Sequence, residues 1–158
     1  MTRNNRGFTL VEVTVVVVLI GIIAAVLFAR SISTDPINLV AEVDKIRNHI
    51  RYAQSMAMKR SEVWGCKSDG LSPGKYWIFT GDDAGTEANQ VQLPGETAIK
   101  VSPPNSITMT SFTIFFDKYG IPYNESNNTP LASGLTITVS GAPKNLVITP
   151  ETGFISTQ

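Results

Sequence analysis

Phe8-Thr9-Leu10-Val11-Glu12 opens an apolar run that continues from Val13 to Ala29 and contains no further charge. Read as a helix, residues 8–29 span about 33 Å at ~1.5 Å per residue, enough to cross a hydrocarbon core of about 30 Å. The run is crowded with β-branched Val15, Val16, Val17, Val18, Ile20, Ile22 and Ile23. These are indifferent helix formers in water. In lipid the backbone must satisfy its own hydrogen bonds, so the helix is favoured there. A secretory signal peptide would have a shorter apolar core and a small-x-small cleavage site, and Leu27-Phe28-Ala29 fits that poorly because Leu27 is bulky. A plain signal anchor explains the length but not the acid. Glu12 lies one turn inside the run, where an ionised carboxylate costs at least ~2.5 kcal/mol near the bilayer centre and less toward the interface.

Ahead of the run, Met1-Thr2-Arg3-Asn4-Asn5-Arg6-Gly7 is short, polar and basic. Cleavage between Gly7 and Phe8 would create an α-ammonium about one helical turn from Glu12, which supplies a partner for the buried acid. Arg30, Lys45, Arg47 and Arg51 beyond the run leave charge asymmetry nearly neutral as a guide to orientation.

Gly7-Phe8-Thr9-Leu10-Val11-Glu12, behind a basic leader and before an apolar run, resembles the class III signal of type IV pilins and type II secretion pseudopilins. The resemblance implies that Gly7 ends a leader of residues 1–7 recognised by a prepilin peptidase, and that Phe8 becomes the N-methylated first residue. It implies that Glu12, with Thr9 and Leu10 beside it, serves assembly by neutralising the N-terminal amine of an adjacent subunit. It implies a single pass through the bacterial inner membrane with an extracytoplasmic C-terminal domain, membrane lipid as the surroundings before assembly, and other pilin or pseudopilin subunits as partners through residues 8–35. The run lacks the mid-helix proline common in major pilins, which points toward a minor subunit. Gly21 is its only weak helical position.

From Pro36 to about Arg60 the pattern becomes one-sided. Leu39, Val43, Ile46, Ile50, Ala53 and Ala57 recur at spacings of 3 and 4, the stripe of an amphipathic helix. Glu42, Lys45, Arg47, Asn48 and Arg51 fall largely elsewhere. Asp35 is a suitable N-cap and Pro36 a suitable first-turn residue. Tyr52, Gln54-Ser55-Met56 and Met58 stand where they help cover a core. His49, the only histidine, has no ligand-spaced neighbour and reads as a surface helix residue.

Beyond Ser61 the chain breaks into short β-type segments divided by turns. Candidate strands are 62–67, 75–80, 98–102, 106–110, 112–116, 135–140 and 145–149, with Leu135 to Val139 alternating cleanly. Turn residues are plentiful, as in Gly81-Asp82-Asp83, Pro103-Pro104-Asn105, Tyr119-Gly120-Ile121-Pro122 and Gly141-Ala142-Pro143. A helix followed by antiparallel strands makes residues 36–158 an α+β domain, with helix 36–60 packed on a small antiparallel sheet of strands within 62–158. Phe112 to Pro122, the alternating strand, Asn145 to Thr149 and Thr152-Gly153-Phe154-Ile155 resemble the closing pattern of FimT/GspH-type minor pseudopilins, with a terminal strand ending near Thr-Gly.

Other chemistry is sparse. The 13 basic and 13 acidic side chains cancel, so bulk charge gives no reason to expect nucleic acid. A DNA-binding minor pilin of a competence system is the alternative reading, but Lys67, Lys75, Lys100, Lys118 and Lys144 are scattered and only Lys59-Arg60 are adjacent. Cys66, the only cysteine, excludes an intramolecular disulfide and lies in an apolar-leaning stretch that favours burial. Asp82, Asp83 and Glu87 offer oxygen ligands suited to calcium but at unmatched spacing, which favours a solvated turn and no cofactor. Asn124-Glu125-Ser126 and Asn127-Asn128-Thr129 satisfy a glycosylation sequon and read as a loop tip. No nucleophile, phosphate loop or elbow motif is present, so no enzymatic activity is expected.

Overall fold

The computed structural model describes residues 9–30, 35–72, 74–104, 107–124 and 129–158. The chain divides into two compact units at Asp35–Pro36. The first contains helix α1 (Leu10–Arg30). The sequons fall largely on residues 125–128, outside the described residues.

The second unit is carried by helix α2 (Asp35–Arg60), which begins one residue ahead of the expected start. Its strands are β1 (Trp64–Ser68), β2 (Tyr76–Thr80), β3 (Gln90–Val91), β4 (Phe112–Phe116), β5 (Pro122–Tyr123), β6 (Leu135–Ile137), β7 (Leu146–Ile148) and β8 (Ile155–Thr157). The architecture is α+β. The strands form two antiparallel sheets, β3-β2-β1-β4-β5 and β6-β7-β8.

Period-two alternation in the larger sheet sorts its side chains onto two faces. Trp64, Cys66, Tyr76, Ile78, Ile114 and Phe116 share one core with Val43, Ile46, Ile50, Ala53 and Ala57 of the α2 stripe; Ile137, Leu146, Ile148 and Ile155 of the smaller sheet join them. Leu39 packs at the edge of that core, half-buried. Each fully buried Ile contributes roughly 1.5–3 kcal/mol relative to exposure. The opposite face of the larger sheet carries a second cluster of Trp77, Phe79, Phe115 and Ala84. Gly65 lies under that cluster, where an added Cβ would collide with the Phe79 ring and the Ile114 carbonyl. Trp77 Nε1–H donates to the Ala84 carbonyl at 2.9 Å, so the loop after β2 lies against this face.

Several strand expectations need correction. Residues 98–102 form no strand: Val101 alone bridges to Tyr76. In 106–110, where Ser106 lies outside the described residues, Met109 alone bridges to Val139. Val101, Ile107 and Met109 are nonetheless buried, so their apolarity reports burial and not pairing. Pro103 and Pro104 lie between the two segments and bring no backbone donor to a ladder. The segment 135–140 ends its pairing with β7 at Ile137, after which the chain turns to meet Thr108 and Thr110. Strands β3 and β5 are too short for periodicity to detect. Pro122 opens β5 at the outer edge of its sheet, a place where proline is tolerated. Thr152-Gly153 does not end the last strand: it makes the turn from β7 into β8, with Gly153 at φ +63°.

Candidate assembly site

Helix α1 is apolar on every side, and its side chains from Leu10 to Leu27 are exposed to their surroundings. That 18-residue window has a mean hydropathy of 3.0, long and apolar enough to cross a membrane. A helix that is apolar all round is the kind found as a membrane span or a buried core helix.

Its start is built by Thr9. The Thr9 carbonyl accepts from Glu12 N–H at 3.0 Å and from Val13 N–H at 3.2 Å, and Thr9 Oγ1 also accepts from Glu12 N–H at 3.3 Å. Thr9 is therefore the N-cap and Glu12 the third helical residue, the Thr-x-x-Glu spacing of a capping box. The signal was present in the sequence, yet reading Glu12 only as an acid in lipid overlooked it. An acid in the first turn also complements the positive end of the helix dipole. Thr14 poses no polar problem in an apolar helix, because its hydroxyl donates to the Val11 carbonyl at 2.8 Å. Leu10 opens the helix and is exposed. Among the described residues no ion pair involves Glu12, whose carboxylate is free to meet a charge from another molecule. Gly7 and Phe8 lie outside the described residues.

Residues 2–28 match the family model of the prokaryotic N-terminal methylation motif. The N-terminal segment is similar to the methylation segment of type IV pilins and pseudopilins. The match spans the basic leader, the Thr9 cap, Glu12 and most of the apolar helix of this pilin-like chain. It implies processing by a prepilin peptidase and assembly with other pilin subunits, and with α1 it indicates a membrane-anchored protein of a family that is normally structural. The match ends at residue 28 and does not reach the head domain, residues 36–158. No curated protein and no solved structure matches the chain.

The head domain relocates one residue of the pilin-like chain. His49 is not a free surface residue: its Nδ1 lies 2.8 Å from the Tyr76 hydroxyl and its Nε2 lies 3.9 Å from Glu96 Oε1. Burial raises the Tyr76 pKa well above its usual range, so the phenol stays protonated beside Nδ1. Burial lowers the His49 pKa, against the opposing pull of Glu96, and favours the neutral ring. Lys45 Nζ closes on the same Glu96 oxygen at 2.7 Å. Glu42 borders this group; burial raises its pKa, and its Oε1 is buried without a hydrogen bond. Sequence spacing along α2 hid this cluster because Tyr76 and Glu96 arrive from β2 and the loop after β3.

The remaining candidate positions are structural in character. Cys66 is fully buried and its thiol is pushed up to about 12 by burial. Asp83 accepts from Gly85 N–H at 2.7 Å and from the Thr86 hydroxyl at 2.6 Å, which lowers its pKa. Among the described residues no three His, Cys, Asp or Glu side chains, Asp82, Asp83 and Glu87 included, are grouped to hold a metal ion. Arg60 stacks over Trp64, Lys100 over Trp77 and Lys118 over Tyr119, so these cations are engaged on separate rings.

Proposed function

We propose that this chain is a non-enzymatic minor pilin or pseudopilin subunit, cleaved between Gly7 and Phe8, N-methylated at Phe8, and built into or priming a type IV pilus or type II secretion pseudopilus. Residues 8–35 bundle with neighbouring subunits, and Glu12 pairs with the methylated amine of an adjacent Phe8. The head domain is held outside the cytoplasmic membrane and meets partner subunits.

The observation that carries this reading is the placement of a single unpaired carboxylate three residues beyond a threonine cap, on a helix otherwise apolar on all sides. Methylation keeps the amine charged, and low dielectric inside a helix bundle strengthens its attraction to Glu12. Desolvation of both groups offsets much of that gain, so the pair sets register more than it adds net stability. The absence of proline from α1 and the hydrophobic spacing of Phe112 to Ile155 favour the minor, FimT/GspH-like class. The DNA-capturing alternative draws no comparable support, since the head's cations are dispersed over separate elements.

Two substitutions separate the roles of Glu12. Glu12→Gln retains a side chain suited to a capping box but loses the charge; Glu12→Ala loses both. The assembly role requires both variants to insert in the membrane normally and both to disappear from the sheared filament fraction. Normal incorporation of Glu12→Gln beside failure of Glu12→Ala would reduce Glu12 to a helix-starting residue.

A further inference from the structure

The smaller sheet has one undefended edge. At its β6 side the chain continues into residues that are met by another segment: Thr110 N–H donates to the Thr138 carbonyl at 3.0 Å and Ser140 N–H to the Thr108 carbonyl at 2.7 Å. In the larger sheet, β3 and β5 are two residues long, and Leu131 N–H meets the Pro122 carbonyl at 3.2 Å. Strand β8 is the outer strand of its sheet and has no such cover among the described residues.

The hydrogen-bond phase of β8 fixes which of its groups face outward. Asn145 and Gln158 exchange both backbone bonds, at 2.7 and 2.9 Å, and Thr149 N–H donates to the Phe154 carbonyl at 2.8 Å. With Val147 opposite Ser156, residues 154, 156 and 158 turn their main chain toward β7. Ile155 and Thr157 occupy the alternate positions, so their N–H and C=O groups point off the edge. Neither residue has a hydrogen-bond partner for these groups. Phe154 to Gln158 also contains no charge and no proline, the usual devices that keep an edge from pairing.

We propose that β8 pairs antiparallel with β8 of a second copy of this chain, across a twofold axis at Ser156, to give a continuous six-stranded sheet. The edge is self-complementary in that register. Ile155 of one copy opposes Thr157 of the other, so every outward N–H meets an outward C=O. Phe154, 57% exposed, comes opposite the partner's Gln158. Beside the edge runs a groove of about 340 Å³ whose apolar lining comes from Val40, Val43 and Pro143. Asp44 and Arg47, 3.1 Å apart, line the same groove and bring opposite charges to it.

A full-length Ser156→Cys variant in its native membrane, treated with mild oxidant, tests the pairing. In this register the two Ser156 residues form a pair without mutual hydrogen bonds, with Cα atoms about 4.5 Å apart, within disulfide reach. Cys66 is fully buried and does not compete. The expected result is a disulfide dimer about tenfold more abundant than from the exposed control Ser102→Cys, as a fixed contact should exceed random encounter. Adding Thr157→Pro should return the yield to control. It removes an outward donor that β7 does not use, and proline is accepted at such positions. Thr157→Lys, which keeps the donor and adds edge charge, should lower the yield likewise. A Ser156→Cys yield no greater than control, or a dimer that survives both Thr157 substitutions, would overturn the proposal.

Discussion

The two helices put similar apolar residues to opposite uses. Helix α1 exposes Val17, Ile20 and Ile23, whereas α2 buries Ile46 and Ile50 completely. The difference lies in patterning and not in residue type. Apolarity around the whole circumference leaves α1 exposed from Leu10 to Leu27 among the described residues, the pattern of a helix suited to lipid or to packing among other helices. A stripe recurring every three and four residues gives α2 one apolar face, and the sheets of its own unit cover it. The second helix therefore belongs to the fold of its unit, and the first serves assembly under the function proposed above.

The contrast is broken most sharply by trimming one residue on each helix. Ile50→Ala should cost about 2–5 kcal/mol of head-domain stability, the usual range for a fully buried Ile. Thermal melting followed by tryptophan fluorescence would report it. Val17→Ala should leave that melting transition where it is. A comparable fall from Val17→Ala would mean that α1 supports the head domain, and the contrast would fail.

A smaller effect is expected from Gln54, where α2 holds the turns together. Its Nε2 donates to the Gly120 and Thr152 carbonyls, each at 2.9 Å. Gln54→Ala should cost about 1–2 kcal/mol, from two hydrogen bonds worth roughly 0.5–1.5 kcal/mol each. Hydrogen exchange should rise at Gly120 and Gly153 before it rises in β1. Uniform loss of protection across the sheet would show that Gln54 is not a local clamp.

The smallest effect concerns the polar flank of α2. Burial raises the Glu42 pKa above its ordinary 4.5, with Lys45 opposing and Glu96 adding to the rise. The stability that Glu42 contributes is present below pH 4.5 and is lost as the pH rises through its folded value. Glu42→Gln should therefore raise the melting temperature at pH 7, with a gain that fades toward pH 4.5. His49 has the opposite sign of dependence. Its lowered pKa means that its contribution is present above about pH 6.5 and is lost as the pH falls through the folded value. His49→Gln should flatten the melting profile below about pH 6.5.

What could be read from the sequence follows the same division. The length and unbroken apolarity of α1, the α2 stripe and the succession of helix and strand segments behind the α+β class are each visible in a string of residues. Strand β4 was legible because Phe112 to Phe116 are apolar and β-prone. The His49 cluster was not, because its members are 27 and 47 residues away along the chain and no local pattern joins them. Val101 and Met109 misled for a different reason: burial is encoded by apolarity, while ladder pairing depends on backbone neighbours that Pro103 and Pro104 deny. At the N-terminal segment the run Gly7 to Glu12 is legible as a motif, whereas the Thr9 cap is established only by the backbone geometry at the start of α1.

The central claim is that residues 1–7 are removed and that the new N-terminus is prepared for assembly. Intact-mass spectrometry with N-terminal peptide sequencing, on the chain purified from cells containing a prepilin peptidase, tests it most directly. The account predicts a chain beginning at Phe8 with one added methyl group on its amine, and a Gly7→Leu variant that retains residues 1–7. A chain that begins at Met1, or one cut after Ala29, would contradict it.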